Sequence, residues 1–122
     1  MNIEEFKKSS EYFDFIRENP GIGRLKIRAY AASEALPVSG LNIIVSSIVF
    51  SKKIIFYNGV TDASGIIPTI ELPCPSLIDN LEIPNTIKYD IEVVGGNTFS
   101  INMYDGICVV QNINYTGDIN GN

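Results

Sequence analysis

The sequence predicts an all-β fold, a seven-stranded antiparallel β-sandwich preceded by an N-terminal helical or extended arm. Three observations support this prediction. Apolar and polar residues alternate with a period of two in several segments after residue 20, turn residues separate these segments at short intervals, and aliphatic and β-branched residues dominate the composition. A chain of 122 residues suffices for one domain with an ordinary core. An all-β barrel is the alternative that the same pattern allows.

Residues 1–20 form a predicted arm whose composition differs from that of the rest of the chain. Asn2 and Glu5 have the spacing of a capping box, and Phe6, Phe13 and Ile16 share one helical face, as expected for a helix. The alternation in "EYFDFI" also suits an extended arm that pairs with a sheet edge, so both conformations stay open. A Pro-Gly break then leads into the sandwich domain, residues 21–114, and a polar C-terminal tail follows at 115–122.

The period-two segments predict seven strands near residues 23–31, 41–50, 52–60, 66–72, 86–94, 97–104 and 106–114. The clearest is "GRLKIRAYA", in which apolar residues alternate with three basic ones. The residues predicted to form the core are aliphatic and belong to these strands: Leu25, Ile27, Ile43, Val45, Ile55, Ile91, Val93, Ile101 and Val109.

The passage Thr61-Asp62-Ala63-Ser64-Gly65 combines an acid, a hydroxyl and a glycine, which could belong to a catalytic loop or to a turn. A turn is the prediction, because Asp and Ser hydrogen-bond nearby backbone amides and Gly accepts a positive φ. Asp105 and Gly106 are expected to form a second structural turn. The sequence contains no histidine, which removes the common Ser-His and Cys-His arrangements and any His metal ligand. We therefore expect no enzyme, no cofactor and no metal site.

The charge balance argues against two classes of partner. The net charge is -5, and nucleic-acid binding depends on many phosphate contacts by basic residues, so no nucleic acid is expected. No apolar run approaches the roughly 20 residues of a membrane span. The N-terminus lacks the apolar segment of a signal peptide, which indicates synthesis in the cytoplasm. Cys74 and Cys108 are expected to be ordinary thiols, with Cys108 buried in a strand, and disulfide pairing is the alternative.

The order of several motifs resembles the carboxypeptidase regulatory-like, or transthyretin-like, β-sandwich domain. These motifs are "GRLKIRAYA", "ALPVSGLNI", "TDASG", "LPCPS" and the closing "YDIEVVGGNTFSINMYDGICVVQNI", which together cover residues 23–114. The leucine-proline run is similar to a version in spore- and cell-wall-associated proteins of spore-forming Firmicutes. The resemblance implies no catalytic residues, a role in stabilising, attaching or assembling other molecules, and deposition on a spore or envelope layer. The arm lies outside it.

Two functions follow as expectations. The first is a non-catalytic structural or assembly protein that self-associates as a homo-oligomer or docks on a protein partner. Its expected interface is the apolar part of the arm, Phe6, Phe13, Phe15 and Ile16, packed partly on another chain. The alternative is a module that binds a cell-wall glycan or a protein, with Tyr57, Tyr89 and Tyr104 as the exposed aromatic candidates.

Overall fold

The computed structural model describes residues 1–31, 36–76 and 86–115, and these residues are mostly β. Two helices come first, α1 (Ile3–Phe6) and α2 (Glu11–Glu18). Eight strands follow: β1 (Gly21–Ala31), β2 (Leu36–Pro37), β3 (Asn42–Val49), β4 (Lys52–Val60), β5 (Ile70–Cys74), β6 (Ile87–Val93), β7 (Thr98–Met103) and β8 (Cys108–Asn114). They form two sheets, which confirms the all-β prediction and makes the barrel alternative wrong for the described strands. The predicted tail largely lies outside the described residues.

The second sheet is the simpler one, with the antiparallel order β4-β3-β6-β7. In the first sheet β1 is the central strand. It pairs antiparallel with β5 at its start and with β2 at its end, and in parallel with β8. The prediction of a purely antiparallel sandwich is therefore wrong in this sheet. The period of two reports which face a side chain takes, not which direction its neighbouring strand runs.

Eight strands replace the expected seven, because Leu36–Pro37 pairs with the end of β1 as the short strand β2. Such a two-residue strand is too short to show alternation. The fifth strand begins later than the predicted residue 66. Ile66 makes only an isolated bridge with Arg28, and Pro68, which cannot donate a ladder hydrogen bond, precedes the regular strand that starts at Ile70.

The core lies between the inner faces of the two sheets. Every second residue of β1 is buried, as the sequence predicts, and six of the nine expected core residues are fully enclosed: Leu25, Ile27, Ile43, Val45, Ile91 and Val93. Ile55, Ile101 and Val109 are only partly buried, so their assignment to the closed core is wrong.

A β-bulge accounts for the error in β4. The register between β3 and β4 shifts between Val45 and Ser46, so Val45 pairs with Tyr57 whereas Ser46 pairs with Ile55. An extra residue on one strand reverses the face that each following side chain takes. Ile54, not Ile55, is therefore the buried residue, with no exposed surface.

The arm is helical and packs on its own sandwich. Asn2 caps α1 through a complete capping box with Glu5. Phe6 and Phe15 stack edge to face and form a second apolar cluster with Val49 and Ile54 at the β3–β4 hairpin. Phe56 contacts both this cluster and the main core, so the helices extend the core beyond one end of the sandwich.

Candidate interaction surface

The four arm residues expected at an interface do not share one environment. Phe6 is 1% exposed and Phe15 is 2% exposed, because both lie within the cluster that joins the arm to the sandwich. Ile16 is partly buried against the same cluster. Phe13 lies on the other side of α2 and is 77% exposed. Of the four, Phe13 alone is free to contact another molecule to any large extent.

The turn at residues 61–65 is held together by its own side chains. Asp62 Oδ1 accepts hydrogen bonds from the amides of Ser64 and Ile66 at 2.8 and 3.0 Å, and Gly65 has a φ of 76°. The buried Thr61 hydroxyl donates to the carbonyl of Val38 and accepts from the amide of Leu41. These bonds place the carboxylate and hydroxyl in backbone contacts, and they tie the turn to the β2–β3 connection.

The second turn joins β7 to β8 and also fixes the start of β1. The Ile22 amide donates to Asp105 Oδ1 at 3.1 Å, and the Gly106 amide donates to the Ile22 carbonyl at 2.9 Å. Gly106 has a φ of 76°, which favours glycine. The chain crosses from the second sheet to the first at this turn, so β7 and β8 lie on the same lateral side of the sandwich.

The expected burial of Cys108 is wrong, whereas both cysteines are free thiols as expected. Cys74 is buried, whereas Cys108 is exposed, and both are free thiols. They lie on opposite sides of β1, since Gly21 pairs with Cys74 and Arg24 pairs with Cys108, so the fold does not bring them together. Burial raises the pKa of the Cys74 thiol to about 11, and the Asp105 carboxylate adds to this shift.

The tyrosines proposed for ligand contact are mostly part of the core. Tyr89 has no exposed surface, and its hydroxyl donates to the Pro73 carbonyl at 2.6 Å. Burial raises the pKa of this phenol strongly. Tyr57 packs against the main core, and Tyr104 is partly buried beside the β7–β8 turn. Of these three tyrosines, Tyr57 and Tyr104 keep part of their surface exposed.

The side of the sandwich formed by β7 and β8 combines two edge strands. Among the described strands, β7 pairs only with β6 and β8 pairs only with β1. Neither strand contains a charged residue or a proline. Natural sheets normally protect their edges with charges, prolines, bulges or covering segments, because unpaired backbone groups are a template for another strand. Within the described residues, these two edges therefore lack the usual protection.

The opposite edge of the second sheet differs in this respect. β4 begins with Lys52 and Lys53, contains the bulge described above, and is partly covered by the N-terminus. Asn2 forms a bridge with Ile55, whose amide donates to the Met1 carbonyl at 2.8 Å. The β4 edge of the second sheet is thus protected, whereas the described part of the chain places none of these devices on its β7 edge.

The β7/β8 side also leaves the core partly open. Phe99, Ile101 and Val109 point toward the main core but are only partly buried, since nothing in the described chain closes the gap between the two edges. A cleft of about 160 Å³ opens there, lined by Val93, Gly95, Gly96, Asn97, Phe99, Ile113, Asn114 and Tyr115. Half-covered apolar residues between unprotected edges are typical of an interaction surface. The sequence signal for this surface is that residues 93–104 and 106–117 contain no charged side chain.

The described residues contain no group of three or more His, Cys, Asp or Glu side chains placed to hold a metal ion. Within the same residues, no helix is long and apolar enough to cross a membrane. Comparison of the whole chain with protein-family models and with curated proteins finds no match.

Proposed function

We propose that this chain is a non-catalytic assembly protein that associates with a second copy of itself through its β7/β8 side. The observation that carries the proposal is the pair of uncharged edge strands with half-covered core residues between them. A second copy is the occupant that this surface fits best. The chain as a whole has a net charge of -5, so copies repel each other, and a contact between segments without charged residues adds no further repulsion.

The backbone of β7 supports an added strand. The Val94 amide donates to the Asn42 carbonyl, whereas the Val93 amide donates to the Asn97 carbonyl at the β6–β7 turn. The backbone amides and carbonyls of odd-numbered β6 residues therefore point toward β7. Their partners in β7 include Phe99 and Ile101, and the amides of Ser100 and Asn102 consequently point away from β6. An antiparallel β7 of a second copy would satisfy these amides, as expected for a two-fold interface.

The motif order described above supports a finer assignment. We infer that the sandwich is of the transthyretin-like, carboxypeptidase regulatory-like kind, whose members stabilise, attach or assemble other molecules. The same resemblance supports deposition of the assembled protein on a spore or envelope layer. The turn hydrogen bonds of Asp62 favour an architectural role for the residues that most resembled a catalytic loop.

The proposal is tested by the mass of the protein in solution over a range of concentrations, with reductant present to exclude disulfide formation by Cys108. We expect a dimer or larger species. Ile101→Lys adds a charge to the open core, and Asn102→Pro removes an outward amide without removing a bond to β6. Both variants are expected to be monomers with an unchanged circular dichroism spectrum. Thr69→Lys, at an exposed position just before β5 and therefore on the opposite side of β1 from β8, is the charge-matched control and should assemble normally.

Phe13→Asp distinguishes association through the β7/β8 side from association through the arm. The substitution removes the one strongly exposed aromatic residue of α2 and should leave assembly through β7 and β8 intact. Dissociation by Phe13→Asp together with normal assembly of the two β7 variants would assign the interface to the arm and disprove the proposal. A wild-type protein that is monomeric at every concentration would also disprove it.

A further inference from the structure

The outer face of the first sheet carries a row of cations on an otherwise acidic protein. Arg24, Lys26 and Arg28 alternate with buried residues along β1, and all three side chains are exposed. Alternate residues of a strand lie about 6.6–6.8 Å apart, so the three charges form a straight, evenly spaced line. The neighbouring residues of β8 on this face are uncharged, since Val110 pairs with Lys26 and Asn112 pairs with Arg28.

Among the described residues, one of the three cations in this row has a counter-charge. Arg24 lies 3.5 Å from Glu71, but within the described part of the chain Lys26 and Arg28 form no ion pair. Most other basic residues do: Lys7, Arg17, Lys52, Lys53 and Lys88 each lie beside a carboxylate. Two adjacent cations that have no ion pair among the described residues are complementary to an anionic partner, on a protein whose net charge is -5.

A shallow groove adjoins the row at Arg28. Its volume is about 370 Å³, and its lining consists of Arg28, Ala29, Tyr30, Pro37, Ala63, Ser64 and Ile66. The guanidinium carbon of Arg28 lies 5.8 Å from the centre of the Tyr30 ring. The groove therefore places a planar cation beside the rings of Tyr30 and Pro37 and the hydroxyl of Ser64, which belongs to the turn at residues 61–65.

We propose that this face binds an acidic polysaccharide, with a carboxylated sugar in the groove at Arg28 and the polymer running along Lys26 toward Arg24. The guanidinium would bind the sugar carboxylate in a bidentate manner. The Tyr30 and Pro37 rings offer flat apolar surfaces to a pyranose ring, and Ser64 offers a hydroxyl to its polar groups. The site does not depend on the assembly proposed above, because it lies on a sheet face away from the gap between β7 and β8.

The backbone around the groove favours a polysaccharide over an acidic peptide. The Ala29 amide donates to the Gly65 carbonyl at 2.8 Å, and the Ala29 carbonyl accepts from the Val38 amide at 3.0 Å. Since these edge groups are already paired, an extended peptide cannot add here as a strand, which is the usual source of its affinity. Recognition must come from side chains, and three cations in a row are too few for the phosphate contacts of nucleic-acid binding.

Isothermal titration with polygalacturonate, a polymer of carboxylated sugars, tests the proposal. We expect binding that weakens with salt, no binding of neutral dextran, and markedly weaker binding of poly-L-glutamate. Arg28→Gln and Lys26→Ala should each weaken polygalacturonate binding about tenfold or more, because each removes a charge-assisted contact. Lys8→Ala removes another exposed cation, one on the arm with no ion pair to a described residue, and should bind normally.

No binding of polygalacturonate would overturn the proposal. So would poly-L-glutamate binding as strong as that of polygalacturonate, or a Lys8→Ala variant weakened as much as Arg28→Gln, because both results would show only general charge attraction. Ser64→Ala provides a further check that leaves all charges in place, and it should weaken polygalacturonate binding without altering the salt dependence. The mass in solution is measured on the same samples. A monomer that still binds polygalacturonate would contradict the assembly proposal alone.

Discussion

At the scale of single residues, Gly65 joins two parts of the fold that must approach closely. It lies at a φ of 76°, and its carbonyl accepts a hydrogen bond from the Ala29 amide. A Cβ atom at this position would lie 2.2 Å from the Ala29 carbonyl oxygen, which belongs to the backbone and cannot rotate away. Gly95 has a similar φ of 81° but has no atom within 4 Å of the same point. A side chain at Gly95 would therefore meet backbone strain alone, whereas a side chain at Gly65 would meet the same strain together with steric overlap.

We predict that Gly65→Ala lowers the free energy of unfolding much more than Gly95→Ala does. The left-handed conformation alone costs an alanine about 1–2 kcal/mol, which is the effect expected at Gly95. Overlap with the Ala29 carbonyl should add about 1–3 kcal/mol at Gly65. Urea denaturation of the two variants measures the difference. Equal losses would show that the 61–65 turn does not press against β1 as the structure has it.

At the scale of elements, the arm acts as a third part of the core. α2 places Phe15 against Phe6 and Phe56, and Phe56 in turn contacts Tyr89 at the centre of the sandwich. On the opposite side of the same helix, Phe13 is exposed and belongs to neither apolar cluster. Glu11, one turn before Phe15, forms an ion pair with Lys52 of β4 at 2.6 Å. One helix thus carries two phenylalanines, two residues apart, in opposite environments.

Phe15→Ala should lower the free energy of unfolding by about 3–5 kcal/mol, the usual cost of deleting a buried aromatic side chain. Phe13→Ala, in the same helix, should change it by no more than about 0.5 kcal/mol. Both values come from chemical denaturation of dilute protein, where association makes the smallest contribution. Similar values for the two variants would mean that α2 does not dock on the β3–β4 hairpin through Phe15.

Sequence periodicity predicted seven strands and the enclosed part of the core, but it did not predict how strands are shared between sheets. Alternation in "GRLKIRAYA" is visible because no register shift interrupts the pairing of β1 with β2, β5 or β8, so its side chains keep their faces along the strand. The bulge in β4 reverses that pattern locally, so Ile54 could not be distinguished from Ile55. Ile101 and Val109 follow the inward pattern but are only partly buried, because they lie on edge strands. Which strand lies at an edge depends on pairing between segments distant in sequence, which periodicity does not report. The groove at Arg28 could not be predicted from the sequence either. It is lined by β1, the β2–β3 connection and the turn at residues 61–65, which are separate in sequence and meet only in the fold.

At the scale of the whole molecule, a buried thiol and a buried phenol make the free energy of unfolding depend on pH. Cys74 and Tyr89 have no exposed surface, and burial raises the pKa of both. In the unfolded chain the pKa of the Cys74 thiol is near its ordinary value of 9.0, whereas burial raises this pKa to about 11 in the folded protein. Between these values the unfolded state binds fewer protons than the native state, so the free energy of unfolding falls as pH rises.

We predict a loss of about 2–3 kcal/mol from Cys74 alone as the pH rises from about 8 to above 11, with a further loss from Tyr89 above about pH 10. Urea denaturation at a series of pH values measures this slope. Cys74→Ala should flatten the part between about pH 9 and 11. Cys108→Ala, which alters the exposed thiol, serves as the control and should leave the slope unchanged. A stability that is constant over this range would contradict the burial of both groups.

The parallel pairing of β1 with β8 joins the first strand of the sandwich to the last. During synthesis on the ribosome, β1 emerges with its arm long before its partner exists, and nearly the whole domain must be made before the pair can form. Closing so long a loop is slow and entropically costly, and contacts of this separation are the ones that delay folding. Until β8 leaves the exit tunnel, one edge of β1 has no partner in its own chain, and a premature stop before residue 108 removes the strand that would cover it.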